Sequence, residues 1–413
     1  MENRIFDKAN AIVGQSGGPT AVINATLAGV IAGALDCPAI GTLYGARNGV
    51  EGMLRENLID LSAFFGGEMR EERLKLLECT PAAALGSCRR KLPGDSEAPE
   101  YAALFEIFAR NNIHYFFYIG GNDSMDTVAK LSAASERAGY PLRVVGVPKT
   151  IDNDVAGTDH TPGYGSAAKY IATSMQEILR DCAVYTVRAV TIVEIMGRDA
   201  GWLTAAAALP RVNGAGPDLI YLPERTFSFE RFYADVERAL ERHPNVVVAV
   251  SEGLRCEDGR YVGEGAQSGA VDVFGHKYLS GTGKALELAV KERLGCKVRS
   301  VELNILQRCA SHCASKTDLE ESVMVGRAAV EAAAAGKSGC MMNFIREEGD
   351  SYRCAVGSAD VSQIANAVRV VPDEFINAEG NNITDAGVAY LLPLIAGEVL
   401  PETRNGLPLH LVL

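Results

Sequence analysis

Short apolar runs recur along the chain, each ending in a polar or glycine-rich loop and most followed by a helix-length stretch. Ala11-Ile12-Val13, residues 113–119 (Ile-His-Tyr-Phe-Phe-Tyr-Ile), Val144-Val145-Gly146-Val147, 189–195 and 246–250 read as strands. Strands this apolar are buried on both faces, the habit of parallel sheets covered by helices. Residues 21–34, 124–138, 202–209 and 283–294 predict helices, and 297–306 a further strand. Alternation of the two predicts an α/β fold with mostly parallel sheets, whose right-handed crossovers bring the loops after the strands to one edge. Gly336-Lys337-Ser338 ends like a phosphate-binding loop, but Glu331 stands where that loop needs glycine. Because 331–335 is helix-like, Gly336 predicts a helix stop instead.

The loops at that edge carry the chemistry. Gly14-Gln15-Ser16-Gly17-Gly18-Pro19 lies between a strand and a helix, where glycines let backbone amides approach an anion; a simple tight turn has the same composition. Its spacing is not GxGxxG, so a dinucleotide fold is not indicated. Gly120-Gly121-Asn122-Asp123-Ser124 puts two glycines and an acid at the next junction, where Asp123 or Ser124 also suits helix capping. Pro148-Lys149-Thr150-Ile151-Asp152-Asn153-Asp154 holds a cation and two carboxylates straight after an apolar strand. Asp152 suits removal of a proton from a substrate hydroxyl, and Asp154 suits Mg²⁺ or its waters. An unperturbed aspartate is a weak base, but a loose phosphoryl-transfer transition state needs little early proton removal. Met196-Gly197-Arg198 and Glu252 end later strands, an arginine and a carboxylate that suit a sugar phosphate or a structural ion pair. Arg299 and Arg308 flank an apolar strand-like segment, and Arg89 with Arg90 complete the cations for phosphate oxygens.

The 413 residues, 47% of them hydrophobic, are enough for two or three domain-sized units. A net charge of -12 argues against nucleic acid as a partner and requires a local basic cluster for any anionic substrate. No signal-peptide run opens the chain, and no stretch approaches the roughly 18 apolar residues of a membrane span, so a cytoplasmic protein without membrane contact is expected. Ten cysteines without CxxC pairs read as reduced thiols. Cys309, His312 and Cys313 lack the fourth ligand and the spacing of a metal site. Residues 91–100 read as an exposed loop.

Taken in order, the glycine-rich opening, the GGxxS loop, the TIDND loop (150–154), the MGR turn (196–198), Glu252 and the Gln307-Arg308 pair resemble the phosphofructokinase family over nearly the whole chain. The resemblance implies two similar three-layer α/β domains with the active site in the cleft between them. It divides the chain into a donor domain (1–163 plus about 307–360) and a fructose 6-phosphate domain (164–306 plus about 361–413). It implies phosphoryl transfer to the 1-hydroxyl of fructose 6-phosphate in glycolysis or gluconeogenesis, with Asp152 as base, Lys149 and Asp123 in the catalytic set, and Thr150 and Ile151 beside the acceptor. Met196, Gly197, Arg198, Glu252 and Arg308 would hold the sugar phosphate. Arg299 falls where the family sends an arginine to a neighbouring subunit, which implies a homodimer. Gly17, Arg89 and Lys149 fall at the donor, and Asn122, Asp123 and Asp154 at Mg²⁺.

Members that use ATP have glycine at the position of Asp123 and usually at that of Lys149; those that use pyrophosphate have aspartate and lysine, as here. A carboxylate at 123 fills the space of a nucleotide α-phosphate, and the Lys149 ammonium neutralises a compact diphosphate. The segment 274–281 also resembles the pyrophosphate-using branch. Three positions depart from the family: Asn122 replaces the usual metal-linked aspartate, Ile305 a histidine at the sugar phosphate, and Ala189 an arginine of the ATP-using enzymes. On a strand the adjacent Arg188 would point to the other face, which leaves it out of the expected site. The resulting expectation is a reversible pyrophosphate-dependent kinase, against an ATP-dependent enzyme or a silent sugar-phosphate-binding subunit.

Overall fold

The computed structural model describes residues 8–264, 281–349, 351–364 and 367–413. Eleven strands of the described residues form two sheets, numbered in chain order as β1 Ala9–Gln15, β2 Ile40–Ala46, β3 Leu58–Asp60, β4 Ile113–Gly120, β5 Arg143–Pro148, β6 Ala189–Ile195, β7 Leu219–Tyr221, β8 Asn245–Ser251, β9 Lys297–Glu302, β10 Cys340–Arg346 and β11 Cys354–Asp360. The larger sheet runs β11-β10-β5-β4-β1-β2-β3, parallel except for its two edge strands. The smaller, β7-β8-β6-β9, is parallel throughout.

Alternate side chains explain why these apolar runs become central strands. Val13, Phe117 and Val145 enter a core beneath the helices Ile23–Asp36 and Lys316–Ala334. Ile12, Phe116 and Val144 enter another, beneath Pro99–Arg110 and Asn122–Arg137. In the smaller sheet Val193 and Val247 face one core, and Ile192 and Val248 the other. A strand with both faces buried has no polar side to show, so its sequence is apolar throughout.

The helices Ile23–Asp36 and Lys316–Ala334 cross where both present glycine. A methyl group on Gly29 would lie 2.2 Å from the Val323 carbonyl oxygen, and one on Gly326 would lie 2.3 Å from that of Thr26. Both obstacles are backbone, so Gly29→Ala must push the helices apart. The expected cost is about 1–3 kcal/mol, measured as a lower denaturant midpoint at unchanged slope.

The helix Lys316–Ala334 starts at Ser315, whose Oγ accepts from the Asp318 N–H, and it stops at Gly336, in the left-handed region at φ 94°. That glycine is the helix stop expected from sequence, and Lys337 donates to Ser358 instead of facing a phosphate. Elsewhere the elements differ from expectation. Only Trp202–Ala205 of the 202–209 stretch is α-helix, the remainder tightening into a 3₁₀ segment, Ala206–Asn213, that contains Pro210. The strand expected to reach 306 ends at Glu302, because Asn304 turns left-handed (φ 44°) and Leu306–Cys309 forms a short helix.

The chain passes between the sheets more than once. Residues 189–302 build the smaller sheet, then β10 and β11 complete the larger one. Further on, Val388, Leu391 and Leu394 enter a core of the smaller unit, while Leu411 and Leu413 pack on the larger. The Leu411 N–H donates to Thr80 Oγ1, and Arg47 donates to the Leu413 carbonyl.

Candidate active site

Strands β1, β4 and β5 end level. Gln15 lies opposite Ile119 and Gly120 opposite Pro148, and the Lys149 N–H donates to the Gly120 carbonyl. Three loops therefore open side by side at the carboxyl edge of the sheet. In the smaller sheet Ile195 and Ser251 are level partners, so the turn after β6 and Glu252 emerge together. Loops from both sheets line one cavity of about 470 Å³, within the size range of small-molecule sites.

From the larger unit come Gly17, Arg89, Asn122, Asp123, Lys149, Thr150, Ile151, Asp152 and Asp154; from the smaller, Met196, Arg198 and Glu252, with Arg308 from the short helix after β9. Nearly every residue expected at a substrate, donor or metal is thus brought to one place. Gly197 supports the wall without lining it. Its φ of 132° and the Ala200 carbonyl 2.6 Å from an added methyl demand glycine, and its N–H donates to Glu252 Oε1 at 3.2 Å. Arg299 lies outside this cavity, half-exposed on edge strand β9 and 3.9 Å from Asp181. Arg90 turns away to Glu100 and is no part of the cation supply.

Lys149 is 2% exposed, and its ammonium donates to the Gly18 carbonyl at 2.7 Å. A methyl group on Gly17 would come within 3.3 Å of that nitrogen, so the glycine-rich turn and the lysine fit each other directly. Burial pushes the Lys149 ammonium down to about 8, against the pull of Asp152 and Asp154. The turn is itself held by Ser16 Oγ and the Gly17 N–H on the Cys88 carbonyl, and by Ser87 Oγ on the Gly17 carbonyl, which fixes Arg89 beside it.

Burial also dominates the acids. It raises the Asp152 carboxyl, with Lys149 and Arg198 opposing, and lifts Asp154 to about 7 with the help of the Asp152 charge. Glu252 reaches about 8 by burial, its hydrogen bond from Gly197 opposing. Carboxyls raised together around an open cavity mark a place where cationic charge is wanted. Asn122 Nδ2 donates to Asp154 Oδ2 at 3.2 Å, leaving the Asn122 oxygen buried without a hydrogen-bond partner. That oxygen beside a carboxylate fits a hard, oxygen-seeking cation. Asp123, in the first turn of its helix, makes a 3.0 Å ion pair with Lys91.

Asp199, Ala200 and Val368 also line the cavity and were not expected there. Asp199 follows the MGR turn directly, and its place next to Arg198 was the available signal; Val368 had none. Cys309, His312 and Cys313 do not gather as a metal cluster among the described residues, and the one group that does is His160, Glu321 and Cys354. There both ring nitrogens are taken by carboxylates, Asp159 at 2.9 Å and Glu321 at 2.7 Å, which raise the imidazole despite its burial. The 274–281 resemblance falls, up to 280, outside the described residues.

A model of the phosphofructokinase family matches residues 10–333. The chain is 44% identical over 409 residues to the pyrophosphate–fructose 6-phosphate 1-phosphotransferase of Methylococcus capsulatus, covering 98% of this chain and 96% of that one. It is 43% identical over 406 residues to the protein of that name from Halomonas elongata, covering 97% and 94%. The crystal structure of a pyrophosphate-dependent phosphofructokinase from Nitrosospira multiformis superposes with a TM-score of 0.87 at 40% identity, covering 98% of this chain and 96% of that one. The chain belongs to the phosphofructokinase family.

Proposed function

We propose that the chain catalyses the reversible, Mg²⁺-dependent transfer of a phosphoryl group from diphosphate to the 1-hydroxyl of fructose 6-phosphate, giving fructose 1,6-bisphosphate and phosphate. The observation that carries this reading is the buried Lys149 ammonium against the glycine-rich turn, in the same cavity as the Asp123 carboxylate. The lysine offers charge to a small donor, and the carboxylate opposes the further phosphate of a nucleotide. The full-length relatives named for this reaction support it.

In this reading Arg89, Lys149 and the amide edge at Gly17 hold diphosphate, while Met196, Gly197, Arg198, Glu252 and Arg308 hold the sugar phosphate. Thr150 and Ile151 flank the acceptor, whose 1-hydroxyl oxygen attacks the transferred phosphorus as the bridging P–O bond breaks. Asp152 takes the hydroxyl proton, its raised affinity for protons making it a better base than a solvated aspartate. The Thr150 Oγ1, which accepts from the Asp152 N–H at 3.1 Å, fixes that turn. Lys149 meets the charge that builds on the transferred group and the leaving phosphate. Asn122, Asp123 and Asp154 would hold Mg²⁺, which supplies charge neutralisation on the phosphoryl oxygens.

The larger sheet with its returning strands would form the donor unit (1–163 with about 307–360), and the smaller one the sugar-phosphate unit (164–306 with about 361–413). Arg299, exposed on an edge strand, would reach the sugar phosphate of a second subunit in a homodimer. The ten free thiols fit a reducing cytoplasm. No described helix is long and apolar enough to cross a membrane.

The test is a donor comparison with purified protein, fructose 6-phosphate and Mg²⁺. Fructose 1,6-bisphosphate is expected with diphosphate and little or none with ATP; no product with diphosphate would sink the reading. The pH dependence follows from Lys149. Its ammonium is charged below about 8 and loses its proton above, so kcat/KM for diphosphate, which reports the free enzyme, should fall as pH rises through that value. Lys149→Arg, which stays charged, should remove this alkaline limb.

A further inference from the structure

Residues 368–371 run beside the cavity, which Val368 lines, and are held on both sides. Toward the larger unit, Val368 bridges Val155, the Arg369 N–H donates to the Asp154 carbonyl at 2.8 Å, and Arg369 Nη1 donates to the Asn153 carbonyl at 3.3 Å. Toward the smaller, the Arg369 guanidinium lies 4.1 Å from the centre of the Trp202 ring, and the Trp202 indole N–H donates back to the Arg369 carbonyl at 3.0 Å. Glu224 Oε1 completes the join by accepting from both Val371 N–H and Gly201 N–H. One guanidinium therefore touches the loop that carries Asp152 and Trp202, the first residue of the helix after the Arg198 turn.

We propose that Arg369 is a positioning residue for phosphoryl transfer: it sets the distance between the base loop of one unit and the sugar-phosphate loop of the other. The inference rests on the functional reading above. Asn153 is the pivot, since it holds the left-handed conformation (φ 55°) between the two aspartates and its side-chain oxygen is already engaged by the Thr161 N–H. Its carbonyl lies in the peptide that joins it to Asp154, so holding that carbonyl and the Asp154 carbonyl after it fixes the stretch of backbone that carries both aspartates. Arg369 Nη1 holds that carbonyl while its Nη2 donates to the Tyr390 hydroxyl at 2.9 Å, and that hydroxyl donates to the Asp159 carbonyl further along the same loop. The loop is thus held at two points, at Asn153 by Arg369 itself and at Asp159 through Tyr390.

Reaction between groups carried by separate bodies is sensitive to small displacements, a 1 Å error costing about 10²-fold. Arg369→Met keeps the stem and removes the clamp. It is expected to lower kcat by about 10²-fold while the KM values for both substrates change little. Arg369→Lys, which keeps the cation over the indole, should recover part of the loss, and Tyr390→Phe should give a smaller loss of the same kind. Trp202 is the only tryptophan and is buried under the guanidinium, so its fluorescence reports the clamp without reference to activity; Arg369→Met should shift its emission in the folded protein. Unchanged kcat in Arg369→Met overturns the proposal. So does a loss matched by the fraction of unfolded protein, with lysine no better than methionine and Tyr390→Phe unaffected. An inactive parent enzyme overturns the functional reading, and the proposal with it, a result distinct from an active parent whose variants are unaltered.

Discussion

Lys149→Met is expected to lower kcat with diphosphate by about 10²–10³-fold, the usual effect of removing one preorganised charge from a phosphoryl or oxyanion site. The methylene stem would stay packed, because methionine fills nearly the same buried volume; only the charge and its hydrogen bond to Gly18 go. Two consequences separate this from general damage. The KM for fructose 6-phosphate should hold, since Arg198, Glu252 and Arg308 are untouched. The thermal midpoint should hold or rise, since a buried ammonium lowered to about 8 is one the fold strains to keep charged. Steady-state kinetics in both directions, with a melting curve, checks all of this. Retention of more than a tenth of the parent kcat would remove Lys149 from its assigned role.

Asp152→Asn should be the other large effect, a loss of about 10²–10⁴-fold in kcat for removal of a general base. The amide keeps the size of the carboxylate and can still meet the Thr150 hydroxyl, so fructose 6-phosphate should bind as before, measured by calorimetry. Turnover lost with binding kept places the base at 152. Binding lost as well would mean that Asp152 holds the sugar and another of the cavity's acids takes the proton.

The strands and their loops were legible because buried parallel strands can be written in few ways, and because a loop at a strand end gathers its chemistry within half a dozen residues. The same reasoning explains what was missed. Where Arg90 points depends on Glu100 across a turn, and neighbours in sequence do not reveal it. The end of β9 depends on Asn304 entering the left-handed region, while the apolar residues beyond it, Ile305 and Leu306, kept the appearance of a strand. The pairing of Lys91 with Asp123 and the arrival of Val368 at the cleft are contacts between distant segments. Local pattern carries no record of them.

The two returns of the chain to the larger sheet govern the order in which the molecule can be made. On a ribosome, the first 148 residues emerge with β1 to β5 complete, but β5 still lacks its neighbour β10, and the helix Ile23–Asp36 lacks its partner Lys316–Ala334. Those pieces arrive only after the whole smaller sheet has been synthesised. This first third of the chain must wait with an open β5 edge and an uncovered helix face, so the last core to close belongs to the segment that was made first.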